Sequence, residues 1–167
     1  MTKYITILGK SGAGKSTIAK NLELPFVSAG DIARRYLPTK ASRGMFVDQR
    51  RIAELISKLA KDYKNEKFLI FEGSPLSKTS LTEYERHDIK FSMAIYLKAS
   101  DELVRKRLEE RGRGTDIKHF ERRLLSFKRI TRKIIDEFLV KRTLVVKNPN
   151  RPINKIASEL RVLIKNL

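Results

Sequence analysis

The sequence predicts an α/β fold in which helices flank a five-stranded parallel sheet. Five short apolar runs lack the polar alternation of half-exposed strands, which is typical of strands covered on both faces. Helical patterns separate these runs, and this order favours parallel strands with right-handed crossovers. The 167 residues are enough to bury a sizeable core, so we expect residues 1–167 to form a single domain.

The apolar and helical patterns place each element along the chain. The predicted strands are 3–8, 25–27, 68–71, 93–97 and 144–146. The predicted helices fall near 15–23, 31–37, 47–63, 79–88, 101–111, 117–140 and 153–165. Two Gly- and Pro-containing stretches, 38–46 and 111–116, are expected to be excursions from one core.

Residues 9–16 read G-K-S-G-A-G-K-S and form a complete G-x-x-x-x-G-K-[ST] loop. Its glycines let backbone N–H groups approach a phosphate chain, Lys15 can reach the outer phosphates, and the Ser16 hydroxyl can coordinate Mg²⁺. A predicted strand precedes the loop and a predicted helix follows it. We therefore expect ATP to bind at Gly9, Lys10, Ser11, Gly12, Ala13, Gly14, Lys15, Ser16 and Thr17.

The chain is strongly basic, with 37 Lys and Arg against 19 Asp and Glu and a formal net charge of +18. Such a field attracts polyanions, so nucleic acid stays open as a partner beside nucleotide substrates. The absence of cysteine excludes disulfides and Cys-based metal sites. No apolar run approaches the ~18 residues of a membrane span. We expect a cytoplasmic monomer.

Helical periodicity predicts which face of segment 117–140 is buried. At about 100° per residue, an apolar stripe runs through Phe120, Leu124, Phe127, Thr131, Ile134, Ile135 and Phe138. The opposite face carries Lys118, Arg122, Arg129 and Lys133. Arg123 lies on the border of the stripe, where a cation either reaches the surface or points into a site.

Four further segments follow one another in a characteristic order. They are V-S-A-G-D-I-A-R at 27–34, F-L-I-F-E-G-S-P-L at 68–76, R-G-R-G-T-D at 111–116 and E-R-R-L-L-S-F at 121–127. They resemble the S-T-G-D-x-x-R, D-G-F-P-R, R-G-R-x-D-D and K-K-R-L-x-x-Y segments of adenylate kinases and related nucleoside monophosphate kinases. The segment 148–153 resembles, more weakly, the loop that brackets the donor adenine. The resemblance implies a P-loop kinase three-layer sandwich, with a trimmed monophosphate-binding excursion at about 29–63 and a short lid at about 111–118.

The resemblance also implies roles for individual residues. Arg34 would hold the acceptor phosphate, in a site that includes Ser28, Gly30, Asp31 and Gly73. Asp31 also suits the N-cap of the helix that it opens. On the donor side, Glu72 would contact Mg²⁺ through water, and Arg111 would bind ATP. Lys15, Glu72, Arg113 and Arg123 would form the catalytic set, with the two arginines closing on the transferred phosphoryl group.

Three departures from the family pattern lie on the acceptor side. Leu76 replaces an Arg, Ser80 stands near the place of an adenine-reading Gln, and Ala29 replaces a Thr. The first hypothesis is a nucleoside or deoxynucleoside monophosphate kinase. A second is a kinase for another acceptor, such as a 5′-hydroxyl nucleic-acid end or a small metabolite, with Asp31 as the candidate base. A third is a nucleic-acid-binding NTPase.

Overall fold

A computed structural model describes residues 1–38, 48–112, 117–141 and 143–167. Its five strands form one parallel sheet in the order β2-β3-β1-β4-β5. The strands are β1 (Lys3–Gly9), β2 (Phe26–Ser28), β3 (Phe68–Glu72), β4 (Phe91–Leu97) and β5 (Leu144–Lys147). The predicted five-stranded parallel sheet is confirmed.

Helices connect the strands and cover both faces of the sheet. They are α1 (Lys15–Asn21), α2 (Ala29–Tyr36), α3 (Gln49–Ala60), α4 (Lys78–Arg86), α5 (Asp101–Glu110), α6 (Phe120–Ser126), α7 (Arg132–Val140) and α8 (Ile153–Lys165). A short 3₁₀ turn, Lys61–Tyr63, follows α3. Across the part of the chain that is described, no helix has the length and apolar character to cross a membrane.

Four of the five strands end one residue later than predicted, and two of these shifts concern the site. β1 and β3 each run one residue further than predicted, to Gly9 and Glu72. Gly9 lies beside Leu97 of β4, and Glu72 lies between Ile7 and Ser28 of its two neighbours. Ladder pairing therefore carries both residues to the carboxyl edge of the sheet, where open parallel sheets bind ligands.

The start of α2 corrects one prediction. The helix begins at Ala29, two residues before the predicted start, and Asp31 is not its N-cap. Ser28 is the cap, because its hydroxyl accepts a hydrogen bond from the backbone N–H of Asp31 at 3.3 Å. Serine and aspartate are comparable caps, and β2 ends at Ser28, so the strand boundary decides which of them caps the helix.

The segment from Phe120 to Val140 is helical throughout, but it is not one regular α-helix. A π-helical turn, Phe127–Thr131, joins α6 to α7. All seven residues of the predicted apolar stripe are buried, and the four cations of the opposite face are exposed, so this prediction is confirmed. The π turn inserts one extra residue into the helix, and the apolar residues of α6 and α7 on either side of it still face the core.

The core lies on both faces of the sheet. Ile5 and Ile7 pack on one face with α1, α5 and α8, whereas Tyr4 and Leu8 point to the other face. On that second face Phe71 is fully buried, with ring centroids 5.2–5.6 Å from those of Tyr4, Tyr84 and Phe91. These edge-on and tilted contacts make Phe71 the centre of an aromatic cluster under β3.

We expect Phe71→Ala to lower the free energy of unfolding by about 3–5 kcal/mol, because it leaves a cavity where three rings met. Urea unfolding followed by circular dichroism measures the change. Tyr36→Ala is the matched control, since Tyr36 is 47% exposed, and its effect should stay within about 0.5 kcal/mol. Equal destabilisation by the two variants would contradict the central role of Phe71.

Candidate active site

One cleft of about 870 Å³ opens along the carboxyl edge of the sheet. The phosphate loop lies at its centre, between the start of α2 on one side and α5 with the segment 149–156 on the other. Segments far apart in the sequence therefore meet here. Among the residues predicted to bind ligand, Ser28, Gly30, Arg34, Glu72, Gly73, Arg111 and Arg123 line this cleft together with most of the loop.

The loop begins at the end of β1, where Gly9 pairs with Leu97 of the neighbouring strand β4. A Cβ atom on Gly9 would lie 2.9 Å from the carbonyl oxygen of Leu97, so only glycine lets the two strands stay in contact at this point. The chain then turns into α1, which begins at Lys15. The loop backbone is thus fixed at its first residue by the sheet.

The Lys15 side chain folds back over its own loop. Its Nζ donates hydrogen bonds to the carbonyl oxygens of Gly9 at 3.1 Å and Lys10 at 3.0 Å. Burial lowers the pKa of the Lys15 ammonium; the Glu72 carboxylate partly offsets this, while Arg111 and Arg123 lower it further. The amine therefore lies in a region with more positive than negative charge, which favours a phosphate group.

Glu72 is a carboxylate buried at the end of β3, with only 5% of its surface exposed. Its Oε2 accepts a hydrogen bond from the Ser28 hydroxyl at 2.7 Å. The next residue, Gly73, has φ +76°, and a Cβ there would lie 3.6 Å from Cε of Lys15. The chain therefore turns at Gly73 after β3, and because Gly73 has no side chain, the Lys15 side chain can lie beside this turn.

The site offers two oxygen donors suited to Mg²⁺. The Ser16 hydroxyl belongs to the first turn of α1, and both Ser16 and Glu72 line the cleft. Magnesium in nucleotide sites takes one or two protein oxygens and completes its shell with phosphate oxygens and water. One hydroxyl and one anchored carboxylate beside a phosphate loop fit that pattern.

Two arginines approach the loop from the far wall of the cleft. Arg123 is half-buried in α6, whereas Arg111 is exposed at the end of α5. Both act electrostatically on Lys15, so their charges lie close to the phosphate loop. Arg113, the third arginine predicted to act here, lies outside the described residues, as do positions 113–116 of the predicted lid.

On the acceptor side, Arg34 bends back along α2. Its guanidinium pairs with the Asp31 carboxylate, and 57% of the Arg34 side chain is exposed. A Cβ on Gly30 would come within 3.4 Å of this guanidinium, so the glycine leaves it room to fold over the helix start. Asp31 itself is 71% exposed and does not line the cleft, unlike the other predicted acceptor residues.

The three departures from the family pattern fall in different surroundings. Leu76 forms part of the cleft wall, and so does Ala29. Ser80 is fully buried and takes part in the capping box of α4, where its hydroxyl accepts the N–H groups of Leu76 and Ser77, both at 3.1 Å. Ser80 therefore supports the backbone behind the cleft rather than facing a ligand.

One loop side chain leaves the cleft. Lys10 directs its Nζ to the carbonyl oxygen of Ala99 at 2.7 Å and pairs with Asp101 at the start of α5. Its side chain thus secures the outside of the phosphate loop, although its backbone belongs to the loop. The prediction that Lys10 binds ATP therefore concerns its backbone, which belongs to the loop.

Arg107 is a cleft residue that sequence reasoning missed. Its guanidinium donates to the carbonyl oxygen of Ala13 at 3.3 Å and to that of Pro149 at 2.8 Å. It therefore joins the phosphate loop to the segment after β5. Its position four residues before Arg111 places both on one face of α5, and this spacing is the signal that could have revealed it.

An ion-pair cluster holds the segment after β5 in place. Glu159 of α8 accepts hydrogen bonds from Lys147 at 2.7 Å and from Arg151. These two cations lower the pKa of the Glu159 carboxyl to about 2. The pairs tie β5 and residue 151 to α8, on either side of the Pro149 carbonyl that Arg107 binds.

Comparisons with known proteins point in the same direction as this geometry. Residues 8–122 match the family model of the AAA domain. The chain is 32% identical over 125 residues to the adenylate kinase of Pseudothermotoga lettingae, which is 64% of this chain and 58% of that protein. It is 30% identical over 120 residues to the adenylate kinases of Rickettsia conorii and Rickettsia africae, which is 62% of this chain and 56% of each of them. The chain thus spans 56–58% of the length of these curated relatives. The chain belongs to the AAA domain family of P-loop proteins, and within it is similar to adenylate kinases.

Proposed function

We propose that this protein is a nucleoside or deoxynucleoside monophosphate kinase, which transfers the γ-phosphoryl group of ATP to a monophosphate acceptor. The observation that carries the proposal is that one continuous cleft has two arms. One arm holds the phosphate loop and Arg107, the other holds Arg34, and Arg123 borders the same space. A protein that uses a nucleotide only as a switch needs a site for the nucleotide phosphates, which the first arm provides. A second cationic arm, able to bind another phosphate, favours a phosphotransferase.

Phosphoryl transfer needs positioning and charge neutralisation rather than covalent chemistry from the protein. Lys15 would move its hydrogen bonds from the loop carbonyls of Gly9 and Lys10 to phosphate oxygens of the donor. Arg34 would exchange part of its pairing with Asp31 for the acceptor phosphate. Arg123 would stabilise the charge that spreads over the transferred group in the transition state.

Glu72 and Ser16 would hold Mg²⁺, Ser16 directly and Glu72 through water. The bound metal would neutralise charge on the donor phosphates. The Ser28 hydroxyl fixes the direction of the Glu72 carboxylate, so its orientation exists before a ligand binds. A phosphate acceptor is already ionised, so this reaction requires no general base from the protein.

The lining of the proposed acceptor arm bears on the identity of the acceptor. Its wall includes the apolar side chains of Ala29, Ala33, Pro38, Ile52 and Leu76. An apolar wall accepts a flat base, but Leu76 provides no charge for the acceptor phosphate, which leaves Arg34 as its main described cation on that arm. This observation also keeps a kinase for another acceptor as the second candidate.

An acceptor panel tests the proposed reaction directly. With Mg·ATP, we expect one or more nucleoside or deoxynucleoside monophosphates to accelerate ADP formation above the rate without acceptor, measured by a coupled assay. Lys15→Ala supplies the blank for contaminating kinases. If every monophosphate leaves the rate at the level without acceptor, while a 5′-hydroxyl oligonucleotide or a metabolite raises it, the second candidate replaces the first.

Arg123 and its neighbour Arg122 form a matched pair for testing the transition-state role. We expect Arg123→Ala to lower kcat/KM by about 10²–10³-fold, the usual cost of removing one donor from developing charge. Arg122→Ala removes the same charge one residue away, on the exposed face, and should leave kcat/KM within about twofold. Similar losses in the two variants would show that only general charge matters.

The lowered pKa of Lys15 predicts a proton linkage in nucleotide binding. Phosphate favours the charged amine, so above the lowered pKa the free protein must take up a proton to bind, and affinity falls as pH rises. The pH range in which binding takes up a proton therefore begins below the ordinary lysine pKa of about 10.4. Calorimetric titration of ADP in buffers of different ionisation enthalpy measures this uptake.

Two variants test whether Lys15 is the group that takes up this proton. Lys15→Arg keeps the charge at every accessible pH and should abolish proton uptake. Glu72→Gln removes the carboxylate that raises the Lys15 pKa, so the window should move to lower pH. Unchanged uptake in Lys15→Arg would assign the proton to another group.

A further inference from the structure

A second cleft, of about 720 Å³, lies beside the first at the carboxyl ends of β4 and β5. Its lining includes four cations, Lys10, Lys98, Lys128 and Arg132. The aromatic rings of Tyr96 and Phe127 lie beneath it, only 6% and 8% exposed. We call this site the cationic cleft.

The cations of this cleft outnumber the carboxylates that face them. Asp101 serves two of them, since it pairs with Lys10 through Oδ1 and with Lys128 through Oδ2 at 3.0 Å. Arg132 pairs with Asp136 at 3.3 Å. Lys98 is exposed, and within the described ranges no carboxylate lies at ion-pair distance from it. Two carboxylates thus face four positive charges.

The helix beside the cleft extends this positive surface. Lys128 and Arg129 stand four residues before Arg132 and Lys133, so two like-charged pairs stack along one stretch of helix. Arg129 and Lys133 are exposed and have no acidic partner in the part of the structure that is described. Like charges at this spacing repel each other, and a bound polyanion would relieve that repulsion.

We propose that the cationic cleft binds the phosphate backbone of a single-stranded nucleic acid. The positive charges continue from the cleft onto the helix, which suits a chain of phosphates better than one phosphate group. The cleft is concave, so a single strand can enter it. Because Tyr96 and Phe127 are buried, neither of these rings offers a face for base stacking, so binding depends on phosphate contacts, which carry no sequence information.

This site is distinct from the proposed catalytic cleft but adjacent to it. Asn148 and Asn150 line the cationic cleft, whereas Pro149 between them lines the first. Phe127 borders both. The proposal does not depend on the identity of the phosphate acceptor, because Lys98, Lys128 and Arg132 have no part in the proposed phosphoryl transfer, and Lys10 belongs to the phosphate loop through its backbone.

Fluorescence anisotropy tests the proposal with labelled oligo(U) and oligo(dT) of about twelve nucleotides. Saturating Mg·ADP is added to occupy the first cleft. Between about 50 and about 300 mM NaCl we expect log K to fall with log salt at a slope near −3, from about 0.7 for each of some four neutralised phosphates. Comparison of the two strands shows whether the 2′-hydroxyl matters.

The decisive variant is Lys98→Ala/Lys128→Ala/Arg132→Ala. It should bind at least about tenfold more weakly at low salt, with a slope reduced by about 2. The matched control is Lys61→Ala/Lys64→Ala/Lys90→Ala, which removes the same charge from exposed positions at the opposite, amino edge of the sheet. The control should bind like the unmodified protein.

Several outcomes would overturn the proposal. Equal weakening in the two triple variants would mean general attraction by net charge, and loss of binding with Mg·ADP would place the strand in the first cleft. Stronger binding of a duplex, or equal competition by polyaspartate, would exclude a single strand as the occupant. Should the triple variant fail to fold, Lys98→Ala alone should reduce the slope by about 0.7, because Lys98 has no ion pair to lose.

Discussion

The hydroxyl of Ser28 connects the parts of the proposed active-site cleft. It donates to the Glu72 carboxylate at 2.7 Å and accepts the N–H of Asp31 at 3.3 Å, so one group serves both β3 and α2. A buried carboxylate without a partner would be costly, and a helix start without a cap leaves N–H groups unsatisfied. Both needs are met by one residue at the end of β2. The Glu72 side of the cleft, proposed to hold the metal, and the α2 side, proposed to bind the acceptor, are therefore fixed relative to each other.

The charges around this hydroxyl explain why the cleft suits phosphates. Lys15, Arg111 and Arg123 converge on a region that contains one buried carboxylate, Glu72. The pKa of Lys15 is lowered because burial and the two arginines outweigh that carboxylate. These positive charges repel one another across the cleft, and an anionic ligand would relieve that repulsion. Preorganised positive charge of this kind lowers the energy of a transition state without reorganisation at the moment of reaction.

The sequence predicted the parts of this arrangement that depend on local patterns. The phosphate loop follows a strand and precedes a helix, as its motif requires, and the periodicity around Phe120 placed Arg123 at the border of a buried stripe. What it missed depends on tertiary geometry. The spacing to Arg111 places Arg107 on the cleft side of α5, but its hydrogen bonds to the carbonyls of Ala13 and Pro149 join distant segments, and no local pattern records those contacts. The cap of α2 was misassigned because β2 runs one residue further than its apolar run indicated.

Dependence on tertiary geometry also explains why the proposed acceptor arm is harder to predict from the sequence than the proposed donor arm. Backbone contacts dominate a phosphate loop, so its sequence is nearly sufficient to define it. An acceptor wall is built from side chains on separate elements, and Leu76 and Ser80 show the difference. They are four residues apart, yet one faces the cleft and the other caps α4 inside the core. A motif position therefore implies a ligand contact only where the turn around it is preserved.

One carboxylate joins the cationic cleft to the phosphate loop. Asp101 holds Lys10, which belongs to the phosphate loop, and Lys128, which belongs to the cationic cleft. Hydrogen bonds from these lysines lower the pKa of the Asp101 carboxyl, which therefore stays ionised and paired. A strand in the cationic cleft would compete with Asp101 for both lysines, and Lys10 also braces the loop against Ala99. Because coupling free energies are reciprocal, any change that a strand makes in nucleotide affinity must be matched by an equal effect of nucleotide on the strand.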